Sequence, residues 1–310
     1  MRYYFAPMEG LTDSIYRSMH HRFYPGIDRY YTPFISPTIH RNLTPKENRE
    51  LPFSDTADFH VVPQLLTKNA DDFVWMAQQC LDRGYTEVNL NFGCPSGTVT
   101  AKGKGSGMLR DLDALDRFLN EIFSRSPIDI SIKTRIGFLT AEEFPHILEI
   151  FNKYPVKELT IHPRVRSAFY NGNVDMHAFL YAFENSLAPL CYNGDILNLT
   201  QIEHLPAVNA VMIGRGLIAN PGLLSGESND RTKLEEFYCS LLDAYSSAFG
   251  SSRNASFRLK DHWFYLIKRF DNASKYGKLL RKTIDVNEYK AIMHCIFTEC
   301  GFKEDFSFND

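Results

Sequence analysis

The chain has 310 residues, of which 44% are hydrophobic and 23% charged, with a formal net charge of −3. This is the composition of a globular protein long enough for one large barrel with a small appended domain, or for two ordinary domains. It argues against a membrane protein, since no apolar run approaches spanning length, and residues 1–7 are too aromatic for a secretory signal. The six cysteines, at 80, 94, 191, 239, 295 and 300, include no C-x-x-C pair, so no metal site is expected. Reduced thiols and a cytoplasmic location are the expectation.

In chain order, short apolar or β-branched runs predict strands at 3–7, 30–34, 61–66, 87–91, 129–134, 158–162, 190–193 and 210–213. Helical periodicity falls between them at 13–22, 70–83, 112–123, 141–152, 176–184 and 199–204. Alternation of strand and helix implies parallel β/α units, and eight of them suggest a closed (β/α)8 TIM barrel. A doubly wound sheet is the alternative, weakened because no G-x-G-x-x-G follows the first strand. After Pro221 the strand pattern stops, and residues 225–230 form a polar linker. Helices are then predicted at 233–249, 256–270, 273–281 and 288–300, with an irregular tail at 302–310. The expected division is a barrel over 1–224 and a small helical domain over 231–305.

Polar side chains gather at or just past the strand ends: Met8-Glu9-Gly10, Gln64, Asn91, Cys94, Lys133, Arg135, His162, Arg164, Asn193-Gly194-Asp195 and Gly214-Arg215-Gly216. In a barrel those ends converge on one face, the usual place for chemistry. Asn89 to Ser96 is the most telling of these stretches. An apolar strand runs into a Gly/Pro turn that presents one thiol, Cys94, followed by a glycine-rich loop. A buried structural cysteine is the alternative. Charge is also uneven. From Arg253 to Lys290 there are ten Lys/Arg against four Asp/Glu, leaving 24 against 33 in the rest of the chain. Such a segment suits a polyanion, or is a solvated helix face.

In order along the chain, Ala6-Pro7-Met8-Glu9-Gly10, Val62-Pro63-Gln64, Asn89-Leu90-Asn91-Phe92-Gly93-Cys94-Pro95, Lys133-Thr134-Arg135, His162-Pro163-Arg164, Asn193-Gly194-Asp195 and Gly214-Arg215-Gly216 together resemble the tRNA-dihydrouridine synthase family. The basic tail with Arg258, Lys260, Trp263 and Tyr265 is similar to that of the bacterial C-type branch. Pro163 stands where the family often has Gly, and Ala168 where a polar residue is common.

The resemblance implies an FMN enzyme that uses NADPH to reduce the C5–C6 bond of uridines in tRNA, acting as a monomer. It implies Cys94 as the acid that protonates C5, since an unperturbed thiol with a pKa of about 8.5 is mostly protonated near neutrality. Lys133 is expected to face the flavin pyrimidine, although a Schiff-base role is conceivable from sequence. His162 is expected on flavin or substrate, Gln64 on the isoalloxazine edge, and Ala6, Pro7 and Met8 beneath the ring. Asn193, Gly194, Gly214 and Arg215 are expected around the phosphate, with Asp195 on ribityl hydroxyls or a loop amide. Asn91, Arg135 and Arg164 are candidate uridine contacts. Lys102, Lys104, Arg258, Lys260, Lys268 and Arg269 are candidate tRNA phosphate contacts, and Trp263 and Tyr265 are expected to pack the helices. Competing readings are another FMN barrel acting on a free pyrimidine, similar to dihydroorotate dehydrogenase, and a tRNA-binding protein acting on RNA folding.

Overall fold

The computed structural model describes residues 1–38, 40–227, 229–304 and 306–308. The linker expected at 225–230, the tail at 302–310 and the last position of the 231–305 domain include residues outside that set.

Nine short strands form one sheet: β1 (Arg2–Phe5), β2 (Arg29–Tyr31), β3 (Val61–Val62), β4 (Gln64–Leu65), β5 (Glu87–Phe92), β6 (Asp129–Arg135), β7 (Leu159–His162), β8 (Leu190–Tyr192) and β9 (Ala210–Ile213). Their order is β3-β2-β1-β9-β8-β7-β6-β5-β4, with parallel pairing. The two ends of that order, β3 and β4, are one stretch of chain divided at Pro63, which has no amide hydrogen to give a ladder. Counted as one stave they bring the sheet round into a nearly closed α/β barrel of eight staves, the fold predicted from the alternation of elements. All six residues of β5 are buried, as a strand covered on both faces requires.

The helices between the strands start where short polar side chains can accept orphan amides. Asp13, Asn69, Asp111 and Asp175 each accept the N–H three residues on, opening Ser14–Phe23, Ala70–Leu81, Leu112–Arg125 and Met176–Asn185. Three short helices were not legible as periodic patterns: Pro45–Glu50, with a Thr44/Glu47 capping box, Gly97–Thr100, and Arg215–Ala219. At four to six residues they are too short to show a periodic stripe.

The register of the ladder sorts side chains by face. Asn91, Lys133, Thr160, Cys191 and Ala210 lie in one row across β5 to β9. Cys191 and Ala210 pack with Tyr4, Ala6, Tyr31, Val62 and Met212 in the barrel's core, so this row faces inward. The alternate row, with Leu90, Ile132, Leu159 and Leu190, faces the helices.

Contacts divide the chain into two compact units. One comprises Met1–Pro7, Asp28–Gly194 and Leu205–Met212, and the other Met8–Ile27, Asp195–His204 and Ile213–Asp310. The second contains Arg231–Phe249, Ser252–Leu266, Ser274–Lys282 and Val286–Glu299. Its centre is aromatic. Tyr16 stacks on His262 at 4.7 Å and meets Phe237 edge-on at 5.7 Å, and Trp263 gives its indole N–H to the Tyr289 hydroxyl at 2.7 Å. Trp263 thus packs the helices, as its sequence context suggests.

Candidate active site

Within the first unit, the inward row ends in a connected set of polar groups at the carboxyl ends of the strands. Gln64 is wholly buried; its amide nitrogen donates to Asn89 Oδ1 at 2.8 Å, and its oxygen accepts from Asn91 Nδ2 at 2.8 Å. Asn91 Oδ1 in turn accepts the backbone N–H of Gly93 at 3.0 Å and of Cys94 at 2.8 Å. Asn91, expected against uracil, therefore holds the turn that presents the cysteine. The loop returns onto the same turn, for Ser106 donates its hydroxyl to the Cys94 carbonyl at 2.8 Å. Gly105, at φ +57°, lies so close that a Cβ there would stand 3.0 Å from the cysteine's own Cβ and carbonyl oxygen. Both the backbone conformation and the close approach require glycine. Cys94 is partly exposed and forms no disulfide.

Lys133 stands beside Asn91 in register. Among the described residues no carboxylate and no hydrogen bond engages its ammonium. Burial, and then the Arg135 guanidinium, push it down to about 8, with Cys191 and Cys94 near enough to act weakly in the other direction. A partly buried ammonium without a protein counter-charge fits an anionic or electron-rich ring, which is the demand of the flavin pyrimidine edge. This ammonium thus suits a flavin.

Two arginines expected on the substrate are anchored in the protein. Arg135 is 1% exposed and donates to the carbonyls of Gly93, Val165 and Phe169 at 2.9, 2.9 and 2.6 Å. It ties the cysteine turn to the loop after β7. Arg164 is 2% exposed, donating to the Gly172 carbonyl at 2.5 Å and to His162 Nε2 at 3.1 Å. A guanidinium can only donate, so Nε2 accepts and the His162 proton sits on Nδ1. Asn193 donates to the Met212 carbonyl at 2.7 Å, and Ala6 is buried.

Sequence reasoning missed three residues here. Tyr170 is half-exposed, with its ring 5.9 Å from His162 and the Arg135 guanidinium 5.4 Å from its centre. Arg166 donates to the Pro95 carbonyl at 3.2 Å, bracing the cysteine turn from outside. Lys68 completes a basic cluster with Lys102 and Lys104. Burial lowers the Lys104 ammonium, Asp72 works against that, and Lys102 and Lys68 lower it further. No motif marks these positions, and only the folded loops bring them together.

In the second unit, several expected contacts are already engaged. Arg215 pairs with Asp195, and Met8 donates its N–H to the Thr12 hydroxyl at 2.9 Å. Gly216 lies against Ile196, where a Cβ would fall 2.0 Å from the carbonyl oxygen. Arg258 makes a double contact with Asp13, at 2.6 and 3.2 Å, and Tyr245 donates to the same carboxylate at 2.8 Å. Lys260 donates to the carbonyls of Thr283 and Arg281 at the end of Ser274–Lys282. Arg269 corrects an expectation outright. It is 0% exposed, bonded to Asn229 at 3.2 Å and stacked at 4.4 Å on Phe302, so it cannot reach a phosphate in solvent. Lys268 is partly exposed.

The family model described as Dihydrouridine synthase (Dus) matches residues 4–289. The tRNA-dihydrouridine synthase B of Pasteurella multocida (strain Pm70) is 26% identical over 226 residues, 72% of this chain and 67% of that one. The probable tRNA-dihydrouridine synthase 1 of Synechocystis sp. (strain ATCC 27184 / PCC 6803 / Kazusa) is 26% identical over 305 residues, 93% and 84% of the two chains. Among solved structures, a morphinone reductase mutant in complex with tetrahydroNAD superposes with a TM-score of 0.50 at 10% identity, over 72% of this chain and 85% of that one, a likeness of fold alone. With the model spanning nearly the whole length and the strand-end motifs in place, the chain belongs to the dihydrouridine synthase family.

Proposed function

We propose that this protein reduces the C5–C6 double bond of uridines in tRNA to 5,6-dihydrouridine, with FMN bound in the barrel and NADPH as reductant, as a monomer in the cytoplasm. One observation carries the reading. A thiol, Cys94, is clamped at a strand end within electrostatic range of Lys133, an inward ammonium that no carboxylate among the described residues neutralises. When bound and reduced, FMN supplies the hydride for C6 of uracil. Lys133 holds the pyrimidine edge of the cofactor and offsets the negative charge that reduction places there. Ala6, Pro7, Gln64, Asn193 and Gly194 are the further contacts we assign to the cofactor in this unit.

Cys94 gives its proton to C5, balancing the hydride at C6. Asn91 and Arg135 are positioning residues, since both act on the cysteine turn. His162 is oriented by Arg164 through Nε2, and we assign its ring to the flavin or the substrate. Tyr170 offers a partly exposed ring for a uracil that has left its stack, because a base inside folded RNA is otherwise out of reach. Lys68, Lys102 and Lys104 take phosphates beside the cysteine loop, and residues 231–305, Lys268 among them, add RNA affinity.

The test is direct. Unmodified tRNA transcript, NADPH and FMN-loaded protein should yield dihydrouridine on mass analysis of the digested RNA, and the denatured protein should release FMN rather than FAD. A protein that cannot take up FMN, or that oxidises dihydroorotate while leaving tRNA unchanged, would overturn the reading.

A further inference from the structure

The second unit contains a cavity of about 450 Å³ that lies wholly within residues 260–307. Its volume is in the range of sites for small ligands. Trp263, Phe264, Phe270 and Leu280 supply apolar and aromatic surface. Phe264 is 67% exposed, an unusually open position for so large a ring. Trp263 is held by its bond to Tyr289, which leaves the ring fixed rather than mobile.

Five cations share the lining, Lys260, Lys268, Lys278, Arg281 and Lys303, with neutral polar groups such as Asn272 and Ser274 between them. Among the described residues no carboxylate lines the cavity. Several of the five are partly committed. Lys260 caps the carbonyls of Arg281 and Thr283, and Lys303 meets Asp271, which is not part of the lining, at 3.2 Å. Arg281 spends its Nε on the Gly277 carbonyl at 3.3 Å, one of the five N–H donors of its fork.

An apolar ligand would desolvate the Lys278 ammonium and the remaining N–H donors of Arg281 without replacing their water, and inorganic phosphate would leave the aromatic surface uncovered. A ligand that joins a flat ring to a phosphate satisfies both halves. We propose that this cavity is a second ligand site, for a single nucleotide, with the base against Phe264 and the phosphate on Lys278 and Arg281. Free nucleotide and one nucleotide of a single-stranded RNA share this chemistry. The site is independent of the reductase reading, which concerns residues of the other unit.

The experiment is calorimetric titration of the FMN-loaded, full-length protein with adenosine 5′-monophosphate and, separately, with a short single-stranded oligoribonucleotide. Inorganic phosphate and adenosine serve as the half-ligand probes. We expect one saturable site, tighter for the nucleotide than for either half. Phe264→Ala should weaken it by about 5- to 100-fold, the range for loss of base stacking. Lys278→Glu combined with Arg281→Glu should weaken it by at least about tenfold, since the phosphate loses both partners and meets repulsion. Both variants should keep their FMN content and circular dichroism, which guards against misfolding. Binding of the monophosphate identifies a free nucleotide, whereas binding of the oligoribonucleotide alone, lost in both variants, identifies a nucleotide within RNA. The proposal fails if neither probe binds, if phosphate binds as tightly as the nucleotide, or if the variants bind like wild type. Those failures would not touch dihydrouridine formation, which is measured separately.

Discussion

The two ends of the barrel carry charge in opposite ways. At the amino ends of the strands, buried charges meet opposite charges. Glu158 faces Arg2 at 3.1 Å and Arg29 at 3.9 Å and accepts the Tyr4 hydroxyl at 3.0 Å, while Glu87 faces Arg29 at 3.3 Å and Lys157 at 3.4 Å. At the carboxyl ends, on the same inward face, Lys133 has no carboxylate partner among the described residues. Charge compensation at one end closes the barrel. Its absence at the other leaves a cation whose natural partner is not part of the protein, which is how a site differs from a scaffold.

The sharpest way to break this contrast is at the thiol. Cys94→Ala should slow dihydrouridine formation by about 10²–10⁴-fold, the usual loss for a positioned acid, while FMN content and NADPH oxidation hold. Stopped-flow reduction and tRNA turnover measured on one preparation would separate the two steps, and wild-type turnover would remove Cys94 from the mechanism.

At the other end, Arg29→Met should act on stability alone. It removes one of two cationic partners from each of two carboxylates that are 3% exposed, leaving Arg2 on Glu158 and Lys157 on Glu87. The loss at pH 7 in urea melts should therefore fall below about 3–5 kcal/mol, the cost of a fully stranded buried charge. Burial already raises the Glu158 carboxyl above its ordinary range, Arg29 opposing that shift. The deficit should therefore shrink as pH falls and the carboxylates protonate. FMN per folded molecule should not change; if it does, the ends are not separable.

Lys133→Met tests the contrast from the site side. The ammonium's fall to about 8 means the folded protein gives up a proton that the unfolded chain keeps up to its ordinary value. Stability of the cofactor-free protein should rise with pH across that window, the penalty of the buried charge being fully present below about pH 8. The variant should therefore melt higher than wild type at pH 7, with the gap closing above pH 8, yet bind FMN more weakly and at a lower reduction potential. A variant that melts lower and binds FMN normally would place Lys133 in the scaffold.

The smallest effect is expected outside the barrel mouth. Lys102→Ala with Lys104→Ala should raise the tRNA dissociation constant modestly and flatten its salt dependence by about 0.7–0.9 per lost phosphate contact on a log–log plot. An unchanged slope would move RNA docking elsewhere.

Much of the fold is legible from local rules. Strands buried on two faces give continuous apolar runs such as Ala210-Val211-Met212-Ile213, and Asp13, Asn69, Asp111 and Asp175 mark helix starts. Pro63 splits the strand predicted at 61–66, because a missing N–H is invisible to hydrophobic periodicity, and the runs predicted at 3–7 and 30–34 pair only over Arg2–Phe5 and Arg29–Tyr31. For the site, the residue types and their place at strand ends were legible, but their partners were not. Asn91 looks like a ligand group in sequence and is a turn clamp in the structure. Arg258 belongs to a basic run, yet its counter-charge is Asp13, 245 residues away. Arg269 belongs to the same run and is wholly buried.

The sequence by itself determined the barrel, its strand order in time along the chain, and the presence of a thiol and a lysine at neighbouring strand ends. Those follow from period, composition and the obligation of parallel strands to alternate with helices. Only the tertiary structure decided which charges are compensated, because Coulomb partners are chosen by proximity in space and by burial, and neither is written in the spacing of residues along a chain.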